Sequence, residues 1–515
     1  MRCLTLLALG WLSCGLGVSA QTNAVRRSLS LHDCIALALE HNLSIQIDRC
    51  SPEIARYLLR ASRGTYDPAF TLSGNQLVVN VPAQFDAKKV GIGTAYRLEL
   101  TSFGPGLLGR LPWGLTYGLS SMLTYQGARS LFFTNAFDPD AQAFLSVTAG
   151  ERRSNAWFQV TGVTLTQPLL RDFWIDAYRR DIQLNKKNLQ ISELALKGSL
   201  MTILTDVESA YYDLLLAREQ TKVRTKALEV ASQFLQEVRK QVQVGTLTAL
   251  DANQAESSVE TARGLLAGAE GAYARQKNVV KNLITDKLAD WISIDIEASD
   301  QLFARPERLS LQESWSNALV KRPDLLIVRL NLEKEDIDLR YVYNQLFPRL
   351  DLFGTYGWYS FNHSFSGNLD DQRHGANAYY SAGVILSFPL ENIAARNSYK
   401  GEKVSREQAA IAGKKVEQAV ITQVETAVKN SEVSFTQVIS TEKARQYADA
   451  ALDAQLREFR AGNTNSFVVL QYQGYATAAQ SAEIVSIADY NKAKAQLSLS
   501  EGTTLERYKI SVKVH

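Results

Sequence analysis

The 515-residue chain has little of what marks most functional classes. Four cysteines, at positions 3, 14, 34 and 50, are too few for a disulfide framework. Five histidines, His32, His41, His363, His374 and His515, form no metal-ligand spacing with cysteine or carboxylate. The motifs of serine hydrolases, phosphate-binding loops and zinc proteases are missing, so no enzyme activity, catalytic residue, metal or cofactor is expected. The stretch "SFGPGLLG" (102–109) lacks the Lys-Ser/Thr of a phosphate loop and reads as a turn. Lys plus Arg is 56 and Asp plus Glu is 53, a balance of +3 that gives no electrostatic footprint for nucleic acid. Glycine and proline are ordinary in number, which argues against global disorder. Beyond the first twenty residues, no stretch approaches the ~20 apolar residues of a membrane helix. If the chain enters a membrane, it does so as β-strands.

What is present begins at the N-terminus. "MRCLTLLALGWLSCGLGVSA" has one arginine, a short apolar run and small residues ending Val18-Ser19-Ala20. This pattern predicts a secretory signal over 1–20, cleaved before Gln21. Trp11 sits where an aliphatic residue is preferred ahead of a lipidated cysteine, which speaks against lipid on Cys14. Removal of the signal leaves net charge 55 − 53 = +2 and two cysteines, Cys34 and Cys50.

The remainder is internally duplicated. "LSLHDCIALALEHN" (29–42) is similar to "LSLQESWSNALVKR" (309–322), an offset of 280. The same offset relates Pro68 to Pro348. "GVTLTQPLL" (162–170) matches "GVILSFPL" (383–390) at offset 221, and Gly245 matches Gly462 at offset 217. Landmarks in one order mean two copies of one unit. The first copy carries 280 − 221 = 59 additional residues, within 78–155.

Long segments carry heptad-like spacing. Leu200, Leu204, Val207, Tyr211 and Leu214 step by 4, 3, 4, 3, and Val420, Val424, Ala427, Ser431, Ser434 and Val438 continue in the same manner. Such spacing predicts helices that pack along their length. Small residues recur on the seam, which suits close packing. Each long helical stretch is interrupted once, by "VGTLTALDANQAE" near 245 and by "FRAGNTNSFVVLQ" near 462. Glycine ends a helix in the left-handed conformation, and Thr or Asn begins the next. Each interruption is therefore read as the tip of a long helical hairpin, with a local kink as the alternative.

Between the helices lie period-2 segments: "LTYGLSSMLTY" (115–125), "RLDLFGTYGWYS" (349–360) and "YYSAGVILSF" (379–388). They predict strands of about ten residues with one apolar face. With export and terminal aromatics, they suit a membrane barrel. A few strands per chain do not close such a barrel, so a membrane reading requires several copies.

The layout resembles the TolC-like outer-membrane efflux protein family over about 29–506. The carriers are the paired "LSL" segments, the joint "LTQPLLRDFW", "AYYDLLLAREQ" and the two tips. The resemblance implies an internally duplicated α+β membrane protein of the outer membrane, reaching into the periplasm as a homotrimer. Four strands per chain would form a shared transmembrane β-barrel set in outer-membrane lipid. The helical hairpins would form a periplasmic α-barrel. A periplasmic membrane-fusion adaptor would meet the tips at Gly245, Thr246, Leu247, Gly462 and Asn463, and would tie the duct to an inner-membrane transporter. Asp251 matches the family's closing aspartate. Phe459 and Thr464 stand where a tyrosine and an arginine occur in better-known members, so neither makes their bond to a carboxylate. Arg460 is the substitute partner considered for Asp251. Val468 and Gln471 stand where an acidic ring occurs in some members, which argues against a cation-binding constriction.

The organisation read from the sequence is a first repeat over 21–290, a linker over 291–308, a second repeat over 309–506 and a tail over 507–515. "LPWGLTYGLSSM" gives the insertion β character, as a hairpin or a large loop. Two functions from different classes remain: a passive exit duct of a tripartite efflux or type I secretion system, and a non-conducting, periplasm-spanning tether. The tether needs only the helices.

Overall fold

The computed structural model describes residues 25–82, 93–140, 142–375 and 377–511. The signal segment lies outside the described residues.

The two repeats fold alike. In the first, α1 (Leu31–His41) and α2 (Leu43–Arg63) lead into β2 (Ala69–Val81), and α3 (Ala177–Gln243) turns back as α4 (Ala249–Ile284). In the second, α6 (Leu311–Lys321) and α7 (Pro323–Asn344) lead into β7 (Arg349–Asn362), and α9 (Ile393–Arg460) turns back as α10 (Ser466–Glu501). Helices α3 and α9 have 67 and 68 residues, roughly 100 Å each at 1.5 Å per residue. Their partners α4 and α10 both have 36 residues. α1 and α6 start at N-cap serines, Ser30 and Ser310, whose side chains accept the amides of Asp33 and Glu313.

Each repeat has its own helical core. Leu200, Leu204, Val207, Tyr211 and Leu214 are buried against α1, Ile284 and Ile296. Val420, Val424, Ala427 and Val428 are buried against Ala318 and Leu325. The seam residues read from the spacing are thus the buried face of α3 and α9.

Residues 291–308, expected as a linker, are partly ordered into the core. β6 (Ile294–Ala298) pairs in parallel with β1 (Val25–Leu29). Tyr211 Oη donates to the Leu29 carbonyl at 3.0 Å and to Asp300 at 2.8 Å, fixing that pair against α3. The expected tail is also built in at its start. Arg507 closes on the fully buried Glu208 at 3.0 Å, while Tyr508 and Ile510 pack on the first core. The partly exposed Arg507 charge set against the buried Glu208 carboxylate keeps that end of the chain in place.

The sheet differs most from expectation. Among the described residues it has six antiparallel strands in the order β2-β3-β4-β5-β7-β8, where four were implied. The additional pair is β3 (Gly93–Arg110) and β4 (Thr116–Asp138), the described part of the insertion. β5 (Ala143–Pro168) and β8 (Ala378–Ser387) complete the set. β4 and β5 have 23 and 26 residues, well beyond the expected ten. "SFGPGLLG" is strand, not turn: Phe103 and Gly106 pair with Leu123 and Ser120. Its glycines serve close approach, since a Cβ on Gly104 would stand 2.1 Å from the Ser121 carbonyl. Between β7 and β8, α8 (Phe365–Arg373) packs on β7 and β5.

Candidate gate at the hairpin tips

The tip-forming glycines adopt the same conformation. Gly245 and Gly462 both have φ +82°, a region that costs other L-residues about 1–2 kcal/mol. After Gly245, the Thr246 amide reaches back to the Gln241 carbonyl at 2.9 Å. After Gly462, the Asn463 amide reaches the Glu458 carbonyl, also at 2.9 Å. Both turns satisfy the last carbonyls of a long helix by the same backward bond.

The next helices begin with N-caps. Thr248 and Asp251 form a capping box: the Asp251 carboxylate accepts from the Thr248 amide at 3.0 Å and its hydroxyl at 2.6 Å. Asn465 caps α10 by accepting from the Val468 amide at 3.0 Å.

The two tips are joined directly. Ser466, the fully buried first residue of α10, donates its hydroxyl to Asp251 Oδ1 at 2.5 Å. One carboxylate thus caps α4 with one oxygen and ties the second hairpin with the other. Hydrogen bonds from Ser466 and then Thr248 hold Asp251 below the usual carboxylate range, because they favour its charged form.

The other expected gate residues lie differently. Phe459 is 4% exposed and packs against Phe234, with ring centroids 5.1 Å apart. It belongs to an apolar cluster with Ala231, Leu235, Val238, Ala255, Val259 and Val469. It is therefore part of the core behind the tips. Arg460 pairs within the chain with Glu237, at 3.0 Å, rather than with Asp251. Glu237 lies on α3, the helix that runs beside the end of α9, whereas Asp251 lies past the first turn. Thr464 is half-buried and Asn463 exposed at the turn, where the Asn463 amide group donates to Glu458 at 2.8 Å. Gly245, Thr246 and Gly462 are exposed, while Leu247 is half-buried against the tip cluster. Val244, Leu250 and Phe467 add exposed apolar surface around them.

Sequence reasoning missed Ser466 and Glu237. Ser466 directly follows the capping Asn465, and a small hydroxyl in a first helical turn near a matching aspartate is the only signal it gave. Among the described residues, no group of three or more His, Cys, Asp or Glu is placed to hold a metal ion.

A family profile described as outer membrane efflux protein matches residues 141–285 and 315–503. The chain is also similar to the pyoverdine export outer membrane protein OpmQ of Pseudomonas aeruginosa. Identity is 25% over 324 residues, covering 61% of this chain and 64% of that protein, less than two thirds of its length. Among solved structures it is similar to the CmeC outer membrane channel of Campylobacter jejuni, with TM-score 0.64 and 15% identity over 98% of this chain and 97% of that one. VceC, an outer membrane protein of Vibrio cholerae, gives TM-score 0.64 and 14% identity over 92% of this chain and 96% of that one. Identities this low show a shared fold.

Proposed function

Because the chain belongs to the outer membrane efflux protein family, we propose that it is a passive outer-membrane exit duct, assembled as a homotrimer and closed at its periplasmic end by the hairpin tips. Three copies pair the edges that one open sheet leaves free, and the long hairpins extend the duct through the periplasm. A periplasmic membrane-fusion adaptor docks at the exposed tip surface around Gly245, Thr246, Leu247, Gly462 and Asn463. An inner-membrane transporter supplies the energy, so the duct itself carries out no chemistry.

The observation that carries this reading is the Asp251–Ser466 contact between the two tips of one chain. It is a polar latch between the N-termini of α4 and α10, beside the exposed Arg460–Glu237 pair, and a modest sliding of one hairpin past the other breaks it. Opening then means separating the α4 and α10 N-termini while the apolar cluster around Phe459, which spans both hairpins, holds them together behind the tips. A tether built of helices alone has no use for a six-stranded sheet.

The test is single-channel recording of the purified mature protein in a planar bilayer. Discrete openings that become frequent when Asp251 is replaced support a latched duct. A folded protein that stays silent both as wild type and as Asp251→Ala, Ser466→Ala refutes it.

A further inference from the structure

We propose that the inserted hairpin β3–β4 forms two further staves of the membrane wall, so that each chain supplies six strands and three copies close a ring of 3 × 6 = 18. This rests on the trimeric duct reading above.

Pairing gives the first reason. β3 is hydrogen-bonded to β2 on one side and β4 on the other, and β4 is bonded to β3 and β5. The inserted strands are central in the sheet. Its free edges are β2 and β8, so closure with other copies through those edges carries all six strands into the wall. Open edges are not tolerated in lipid. Eighteen is an even number, as single-chain bacterial barrels have.

The side chains give the second. Cross-strand partners share a face, and one row runs Phe70, Leu107, Leu119, Val163, Tyr356, Tyr380 across the six strands. The row one residue along, on the opposite face, runs Thr71, Gly106, Ser120, Gly162, Gly357, Tyr379. The apolar row crosses the inserted strands without a break, and the small or hydroxylated row does likewise until Tyr379. An apolar face toward lipid and a small, polar face toward the lumen is the alternation of a transmembrane barrel. Polar side chains on the apolar face pair with one another, Ser121 at 2.7 Å from the Thr161 hydroxyl and accepting from Gln159 Nε2 at 3.0 Å, while Gln159 Oε1 is left without a partner. Outside a membrane, such an apolar row has nothing in the structure to cover it.

The inner end of the hairpin gives the third. Its turn is closed by the Leu111 amide on the Leu115 carbonyl at 2.8 Å. Arg110 reaches the buried Asp176, the N-cap of α3, at 3.7 Å and lies over the Tyr178 ring at 4.5 Å. The additional staves are thus seated on the joint where the wall meets the helices, yet they feed no helix of their own. Barrel diameter grows roughly in proportion to strand number, so the ring would be about 1.5-fold wider than one of twelve strands and about 2.2-fold larger in cross-section. The helical tube below keeps two hairpins per chain. The constriction therefore lies at the tips and not in the barrel.

The test is electron cryomicroscopy of the unmodified protein in lipid nanodiscs, with strands counted around the ring. Eighteen is the expected result. A twelve-strand ring with 93–138 standing off the wall overturns the proposal and leaves the duct reading intact; absence of any ring overturns the duct reading itself. A second measurement labels single cysteines with a nitroxide, in a Cys50→Ser background with the buried Cys34 left in place. Leu119→Cys and Leu352→Cys replace residues of similar exposure, 44% and 46%, on β4 and β7. Equal collision rates with oxygen at both, and preferential access of an aqueous nickel complex to Ser120→Cys, support the inserted staves. A lipid-facing Leu352→Cys with an aqueous Leu119→Cys refutes them, whereas aqueous labels at both positions refute the membrane reading.

Discussion

Asp251 serves two helices, and single substitutions separate its roles. Thr248→Ala removes the cap and leaves the bond to Ser466. Ser466→Ala removes the tie between hairpins and leaves the cap. Asp251→Ala removes the tie and the carboxylate half of the capping box, and leaves the Thr248 hydroxyl on the backbone amide of residue 251. A hydrogen bond to a charged group is worth about 1.5–3 kcal/mol. Asp251 is half-exposed, so water replaces part of the lost bond and the lower figure applies to Ser466→Ala. About 1.5 kcal/mol per chain is roughly a tenfold change in the ratio of open to closed tips. Loss of a cap costs about 1 kcal/mol, but it is borne by the first turn of α4 and not by the contact between hairpins. The assay is open probability in planar bilayers. Ser466→Ala and Asp251→Ala should both raise it about tenfold or more, and Thr248→Ala should leave it near wild type. If Thr248→Ala opens the duct as strongly as Asp251→Ala, the carboxylate acts through the helix end and the latch is wrong. If Ser466→Ala has no effect, the contact does not hold the closed state.

Gly245→Ala should cost about 1–2 kcal/mol through backbone conformation alone, since a Cβ there meets nothing within 4 Å. Hydrogen exchange at the Thr246 amide should speed up about 5–30-fold, Gly245→Asn should change it less, and trimer assembly should persist in both. Phe459→Ala should destabilise the tip region by about 3–5 kcal/mol, whereas Arg460→Ala, which breaks an exposed pair with Glu237, should cost under about 1 kcal/mol; local exchange around α9 and α10 distinguishes them. Asp251 is held below the usual carboxylate range by Ser466 and Thr248. Its contribution to the closed tip is therefore present above the ordinary aspartate value of about 4 and is lost only as pH falls through its lower folded value. Open probability should be flat between about pH 5 and pH 8 and rise only in stronger acid.

Much of the fold is written in short-range patterns. The glycines at 245 and 462 mark turns because only a residue without a side chain enters φ +82° cheaply. Heptad spacing marked the buried face of α3 and α9 because a helix returns each such residue to one side. The insertion was visible as a mismatch between repeats, and its β character as period-2 alternation. Its place in the sheet was not. "SFGPGLLG" carries glycine and proline, which signal a turn locally, and its role as strand depends on how closely β4 approaches it.

The candidate gate divides in the same way. Asp251 was identified through the resemblance, as the match to the family's closing aspartate, and its capping box with Thr248 is local. Its second partner, Ser466, is 215 residues away, and the Arg460–Glu237 pair spans 223. Phe459 lies one residue from Arg460 yet faces the core, with its ring against Phe234 in the cluster that α3, α4, α9 and α10 share. The sequence by itself determined the duplication, the long helices, their two tip turns and the presence of strands, since each depends on dihedral preference and periodicity within a few residues. Only the tertiary structure decided that the sheet has six strands and that the tips are latched through Ser466, since both depend on which distant segments the chain brings within hydrogen-bonding reach.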